Sequence, residues 1–158
     1  MELSYKKNDN RVLFDSLEKS DFLNLSKSQN YIPLYKKFFE LNNNNYNSIN
    51  LNNPLSLKEI ISKETDNKFI GKVVTDTGIE KKKNVYFKLS PLLDPIKYIT
   101  GKYDISDNNL LNLPDFINPD NCHKKVNDPN NLGYVDGFFT YLTSQLLHKH
   151  GFVHGIDF

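Results

Sequence analysis

The alternation of apolar and polar positions is clearest between residues 68 and 90. An apolar run there leads into Asp76-Thr77-Gly78, residue types that favour tight turns. The chain then continues through residues 84–90, Asn-Val-Tyr-Phe-Lys-Leu-Ser. Because successive side chains of a strand point to opposite faces, Tyr86 and Lys88 should share one face. The pattern predicts a β-hairpin with Lys88 on its second strand.

Helical patterns are weaker in the N-terminal part of the chain. Residues 1–30 contain scattered apolar positions that suit one or two weak helices. A helical stripe follows, with Pro33 in its first turn. Residues 42–53 are rich in asparagine and predict a loop. Ser56 and Glu59 have the spacing of a capping box, so a second short helix is predicted to begin at Ser56.

The C-terminal part contains the strongest helical signal. Asp94 is a good N-cap for a short helix that ends at Gly101, and residues 102–131 suggest a long surface insertion. A helix is then predicted over Tyr134–His150, closed by a left-handed glycine. Its predicted apolar face comprises Val135, Phe138, Phe139, Leu142 and Leu146. Residues 152–158 resemble a strand.

These elements predict an α+β fold, a small antiparallel sheet with a packed amphipathic helix, preceded by short helices. Residues 1–66 would form an N-terminal helical extension with the Asn-rich loop. Residues 67–158 would form the α+β segment. Because that segment ends directly on the apolar strand, we expect it to be truncated at its C-terminus.

Composition narrows the class of protein. The 158 residues carry a net charge of +1, which gives no electrostatic case for nucleic acid or a membrane surface. The run Lys81–Lys83 is short enough to be a solvated surface feature. No apolar stretch is long enough for a signal sequence core or a membrane span. The single cysteine, Cys122, excludes an internal disulfide. An intracellular protein is therefore expected.

The order of hairpin, lysine, long helix and final strand resembles the N-terminal lobe of the protein kinase fold. The amino-acid sequence of residues 84–95 and 150–158 is similar to sequences of kinase-like proteins of large nucleocytoplasmic DNA viruses. These segments include Val-Tyr-Phe-Lys and His-Gly-Phe-Val-His-Gly-Ile-Asp-Phe. The resemblance covers roughly residues 68–158. The resemblance implies that the protein is located in the host cytoplasm or the virion.

The resemblance implies ATP as cofactor, with Mg²⁺ bound only together with a C-terminal lobe. Lys88 matches the lysine that holds the α- and β-phosphates. Asp136 is the only acid on the long helix and would orient Lys88, although an acid near a helix start also suits the helix dipole. Tyr86 replaces the small residue that packs on adenine, so its ring could fill the nucleotide site.

The chain departs from the family at several points. It has no G-x-G-x-x-G loop, since Gly71 and Gly78 are the only glycines of the hairpin. It also has no equivalent of the catalytic loop or the Asp-Phe-Gly motif. We therefore expect a nucleotide-binding half-cleft without catalytic residues, the N-terminal portion of a viral serine/threonine protein-kinase-like protein, inactive by itself. Its partner would be the missing C-terminal lobe or another protein.

Two other interpretations stay open. The chain could be a non-catalytic protein-interaction or virion-associated structural domain, or the hairpin could simply carry a solvated lysine. Metal binding is not predicted, because the available ligands lack the usual zinc spacing. Those ligands are Cys122, His123, His148, His150 and His154.

Overall fold

A computed structural model of the chain describes residues 3–51 and 54–157. The fold is α+β, as predicted, with small antiparallel sheets and three α-helices among the described residues. The chain forms two compact units. Unit 1 comprises Met1–Asn30 and Asn47–Leu89, and unit 2 comprises Tyr31–Tyr46 and Ser90–Phe158. The predicted boundary after residue 66 lies in the turn between two strands of one sheet in unit 1.

Unit 1 contains the sheets. Its elements are β1 (Lys6–Lys7), α1 (Arg11–Lys19), β2 (Ile49–Asn50), β3 (Leu55–Lys63), β4 (Lys68–Thr75) and β5 (Glu80–Tyr86). Strands β1 and β2 form an antiparallel pair, and β3, β4 and β5 form an antiparallel sheet with β4 in the centre. The α1 helix is one of the weak helices predicted near the N-terminus, and it buries Leu17.

The predicted hairpin is confirmed as β4 and β5, joined by a turn in which Gly78 has φ +82°. Residues alternate along β4, so that Phe69, Gly71 and Val73 are buried on one face. The second strand is shorter than predicted, because the ladder ends where Tyr86 pairs with Lys68. Lys88 therefore follows the strand and does not lie within it.

The helix predicted to begin at Ser56 is wrong, since Ser56 lies in strand β3. A capping box contributes only about 1 kcal/mol to a helix. In the fold, β3 instead pairs with β4 along its length, with register irregularities after Leu57 and after Ile60. Its β-branched Ile60 and Ile61 also favour a strand. The backbone ladder with β4 thus outweighs the local helix signal.

Unit 2 is helical. Its elements are a 3₁₀ helix (Pro33–Lys37), α2 (Pro95–Ile99), a second 3₁₀ helix (Pro119–Asn121) and α3 (Leu132–His150). The helix predicted at Pro33 is therefore a short 3₁₀ turn, although Pro33 does occupy its first turn. Helix α2 is confirmed: the Asp94 carboxylate accepts hydrogen bonds from the backbone N–H groups of Ile96 and Lys97.

Helix α3 is confirmed, with Asn131 as its N-cap and Gly151 in the left-handed conformation after its last turn. Its buried face differs from the predicted one. Val135 and Phe139 are 42 % and 64 % exposed. The buried residues are Tyr134, Phe138, Tyr141, Ser144 and Gln145. Phe138 is common to both faces, whereas the rings of Tyr134 and Tyr141 occupy the core in place of the predicted Val135 and Phe139.

Aromatic packing forms the core around α3. The Phe138 ring stacks on Phe38 with centroids 4.5 Å apart, and it lies 6.4 Å from the ring of Tyr35. Leu110, within the predicted insertion, is also buried. The strand predicted at residues 152–158 is wrong: residues 152–157 form a turn after α3, and Phe158 lies outside the described residues.

Candidate functional site

Lys88 lies in unit 1, directly after an anchored residue. The backbone N–H of Phe87 donates to the carbonyl oxygen of Asn67 at 2.9 Å. The Phe87 ring packs edge-on against Phe69, with centroids 5.4 Å apart. Both contacts fix the chain one residue before Lys88, whose side chain is exposed. The lysine thus projects from a defined backbone position at the end of the sheet.

Tyr86 lies at the same end of the sheet. Its ring is exposed, and its hydroxyl oxygen accepts a hydrogen bond from Nδ2 of Asn67 at 2.9 Å. Asn67 therefore contacts the segment twice, through its carbonyl to Phe87 and through its amide to Tyr86. Tyr86 and Lys88 lie in one short segment, and Asn67 of the β3–β4 turn supports the conformation of that segment.

Asp136 belongs to unit 2, where it is exposed in the N-terminal part of α3. Because α3 begins at Leu132, Asp136 is its fifth residue and lies beyond the first turn, where a carboxylate would interact most favourably with the helix dipole. The orienting role of Asp136 toward Lys88 stays a prediction.

The two hairpin glycines have structural roles. A Cβ atom on Gly71 would lie 2.5 Å from Cγ2 of Val85 and 2.9 Å from Cδ1 of Leu57. Gly71 therefore makes room for two side chains of the neighbouring strands. Gly78 supplies the positive φ of the turn. Neither belongs to a glycine-rich loop. The residues present could therefore contact a phosphate group through Lys88, but they do not form a loop that would enclose it.

The sheet also carries an ion-pair cluster that the sequence analysis missed. The ammonium group of Lys72 lies 2.9 Å from Glu80 and 3.4 Å from Glu59, and Lys58 lies 2.7 Å from Glu80. Hydrogen bonds from Lys58 and Lys72 lower the pKa of Glu80. The side chains are partly exposed, so this cluster contributes little stability. These residues are distant in sequence and become neighbours through the pairing of β3, β4 and β5. The cluster could therefore be predicted only from the register of the strands.

The histidines and the cysteine do not assemble a metal site. Within residues 3–51 and 54–157, no group of three His, Cys, Asp or Glu side chains could hold an ion. Cys122 is buried, and burial raises the pKa of its thiol. Nε2 of His148 lies 2.6 Å from an oxygen of Asp157, which connects the last turn of α3 with the segment that follows it.

Unit 2 contains a cavity of about 420 Å³ beside α2. Its lining residues are Val126 and residues of two segments, 91–99 without Asp94, Ile96 and Lys97, and 110–113. The sequence signal was present as two leucine-rich runs, Pro91-Leu92-Leu93 and Leu110-Leu111. They lie on either side of the polar part of the predicted insertion, and their convergence is a property of the fold.

The chain matches no protein-family model, and searches of curated proteins and of solved structures found no similar protein. Across the described part of the chain, the helices are too short or too polar to traverse a bilayer.

Proposed function

We propose that the chain is the nucleotide-contacting, N-lobe-like portion of a protein-kinase-like protein of the type found in large DNA viruses. The observation that carries this proposal is the position of Lys88. Its exposed side chain follows the third strand of an antiparallel sheet and is preceded by the anchored Phe87. A lysine held at the end of a sheet can neutralise the phosphates of a nucleotide as a point charge.

Tyr86 contributes to the same proposal. The hydrogen bond from Asn67 holds its exposed ring, which lies two residues before Lys88 in the chain. A ring in this position offers an apolar surface to a base while the lysine contacts phosphate. The chain carries no Asp-Phe-Gly or catalytic-loop sequence, so the proposed role is nucleotide binding without phosphoryl transfer.

Binding of ATP to the full chain, measured by calorimetry with and without Mg²⁺, tests this proposal. Lys88→Met should abolish most of the affinity because it removes the phosphate contact. Lys82→Met is the matched control, since Lys82 is an exposed lysine within β5, the strand that precedes Lys88. Equal losses in both variants would show general attraction of polyphosphate to the lysines of β5, and would contradict a specific role for Lys88.

A second candidate is a non-catalytic protein-interaction or virion-associated structural domain. The observation that favours it is the exposure of large apolar residues in unit 2, including Leu132 and Phe139 on α3. Exposed apolar clusters commonly mark protein interfaces. Absence of ATP binding, combined with self-association that Phe139→Ser removes in sedimentation experiments, would support this candidate over the first.

A further inference from the structure

The cavity in unit 2 has the size of a small-molecule site. Its volume of about 420 Å³ falls within the range of roughly 300–1,000 Å³ that is typical of ligand pockets. Leu92, Leu93, Pro95, Ile99, Leu110 and Leu113 supply most of its wall. A single aliphatic side chain would leave much of this space empty.

Groups outside the lining hold the cavity walls in place. Nδ2 of Asn131 donates to the carbonyl oxygens of Leu92 and Lys125, each at 2.8 Å. Asp94 caps α2, and its backbone N–H donates to the hydroxyl oxygen of Tyr103 at 3.1 Å. The contact between Asn131 and Leu92 joins residues 39 apart in sequence, and the other contacts fix the backbone locally, so the fold itself forms the cavity.

The lining determines the chemical class of ligand. It contains no charged residue, and its polar side chains are Asn112 and Tyr98. The Asn112 amide group already donates to Oδ1 of Asn109 at 3.2 Å and to the carbonyl oxygen of Asn121 at 2.9 Å. The lining offers a charged ligand no counter-charge in return for the hydration that it would lose on contact with the apolar wall. The main chain of a peptide would likewise bury polar groups with few partners.

We propose that this cavity binds a neutral, mainly hydrocarbon small molecule. Burial of apolar surface supplies the binding free energy, at about 25 cal/mol per Å² removed from water. The residues involved all lie in unit 2 and include none of the proposed nucleotide contacts. The result of an ATP-binding experiment therefore does not decide whether this cavity binds a ligand.

The test uses N-phenylnaphthylamine, a neutral fluorescent aromatic amine whose surface is mainly hydrocarbon, titrated into the full chain. Ile99 lines the cavity and is 82 % exposed, so Ile99→Asp places a charge at the site without disturbing the core. Ile105 is 78 % exposed and does not line the cavity, which makes Ile105→Asp the matched control. We expect Ile99→Asp to weaken probe binding at least about fivefold and Ile105→Asp to change it less than about twofold.

Competition then identifies the class of ligand. Decanol should displace the probe, whereas decanoate, which has the same chain length and a negative charge, should displace it much less. Absence of probe binding, equal loss in both aspartate variants, or equal displacement by the two competitors would overturn the proposal. Displacement by an apolar peptide but not by decanol would assign the cavity to a protein partner and would also overturn it.

Discussion

The hydroxyl group of Tyr134 donates a hydrogen bond to the backbone carbonyl oxygen of Val126 at 2.6 Å, and both residues are buried. This contact connects the first turn of α3 with the end of the long segment that precedes it. Burial is also the main reason that the pKa of the Tyr134 phenol lies well above its ordinary value. The hydrogen bond explains how a tyrosine, and not an aliphatic residue, can define the buried face of the helix.

Tyr134→Phe should lower the free energy of unfolding by about 1–3 kcal/mol, because the buried Val126 carbonyl loses its donor. Tyr98→Phe is the matched control, since Tyr98 is 42 % exposed and loss of an exposed hydroxyl usually changes stability by less than about 0.5 kcal/mol. Urea denaturation of both variants provides the measurement. Equal stability of Tyr134→Phe and the unaltered protein would contradict the buried hydrogen bond.

Neighbouring phenylalanines on α3 should respond differently to truncation. Phe138 is buried and stacks on Phe38, so Phe138→Ala should cost about 3–5 kcal/mol. Phe139 is largely exposed, and Phe139→Ala should cost less than about 1 kcal/mol. Thermal denaturation compares the two directly. A loss for Phe139→Ala as large as that for Phe138→Ala would agree with the face predicted from the sequence, which contains both residues, and would contradict the observed one.

Gly71 should not tolerate a methyl group. Gly71→Ala places its Cβ against Val85 and Leu57, and the required shifts should cost about 1–3 kcal/mol. Gly137 offers the opposite case, because a Cβ atom there meets nothing within 4 Å. Gly137→Ala, within helix α3, should stabilise the protein by about 0.5–1 kcal/mol. Melting temperatures should therefore shift in opposite directions, and a neutral Gly71→Ala would refute the packing role.

The ion-pair cluster of the sheet should give a pH-dependent contribution to stability. Hydrogen bonds from Lys58 and then Lys72 lower the pKa of Glu80 from its ordinary value of 4.5. The carboxylate therefore stabilises the folded state above pH 4.5, and this stabilisation disappears as the pH falls through the lowered pKa. Glu80→Gln should reduce the melting temperature slightly at pH 7, and the difference from the unaltered protein should vanish in acid. A difference that persists below the lowered pKa would exclude this origin.

Local sequence signals correctly predicted those turns and helix ends that are determined by the residues at the turn or end itself. The β4–β5 turn and the end of α3 were predicted because each needs a glycine with positive φ. The start of α2 was predicted because the Asp94 side chain can accept hydrogen bonds from free backbone N–H groups. The strand at Ser56 was missed because its pairing with β4 is a long-range property. The buried face of α3 was missed because tyrosine can be buried once its hydroxyl finds an acceptor.

The candidate site was predictable only in part. The sequence placed Tyr86 and Lys88 in one segment, but their support by Asn67 depends on the β3–β4 turn. The cavity in unit 2 could not be predicted, since its walls come from two leucine-rich runs separated by a polar stretch. Hydrophobic periodicity identifies elements, whereas a cavity depends on how irregular segments converge.

Chemical-shift mapping of the full ¹⁵N-labelled chain during ATP titration tests the role of Lys88 most directly. The account predicts that the largest changes occur at residues 85–90 and at Asn67, and that Lys88→Met removes them while Lys82→Met preserves them. No changes at these residues, or changes confined to Lys81–Lys83, would contradict the proposal that Lys88 holds the phosphates of a nucleotide.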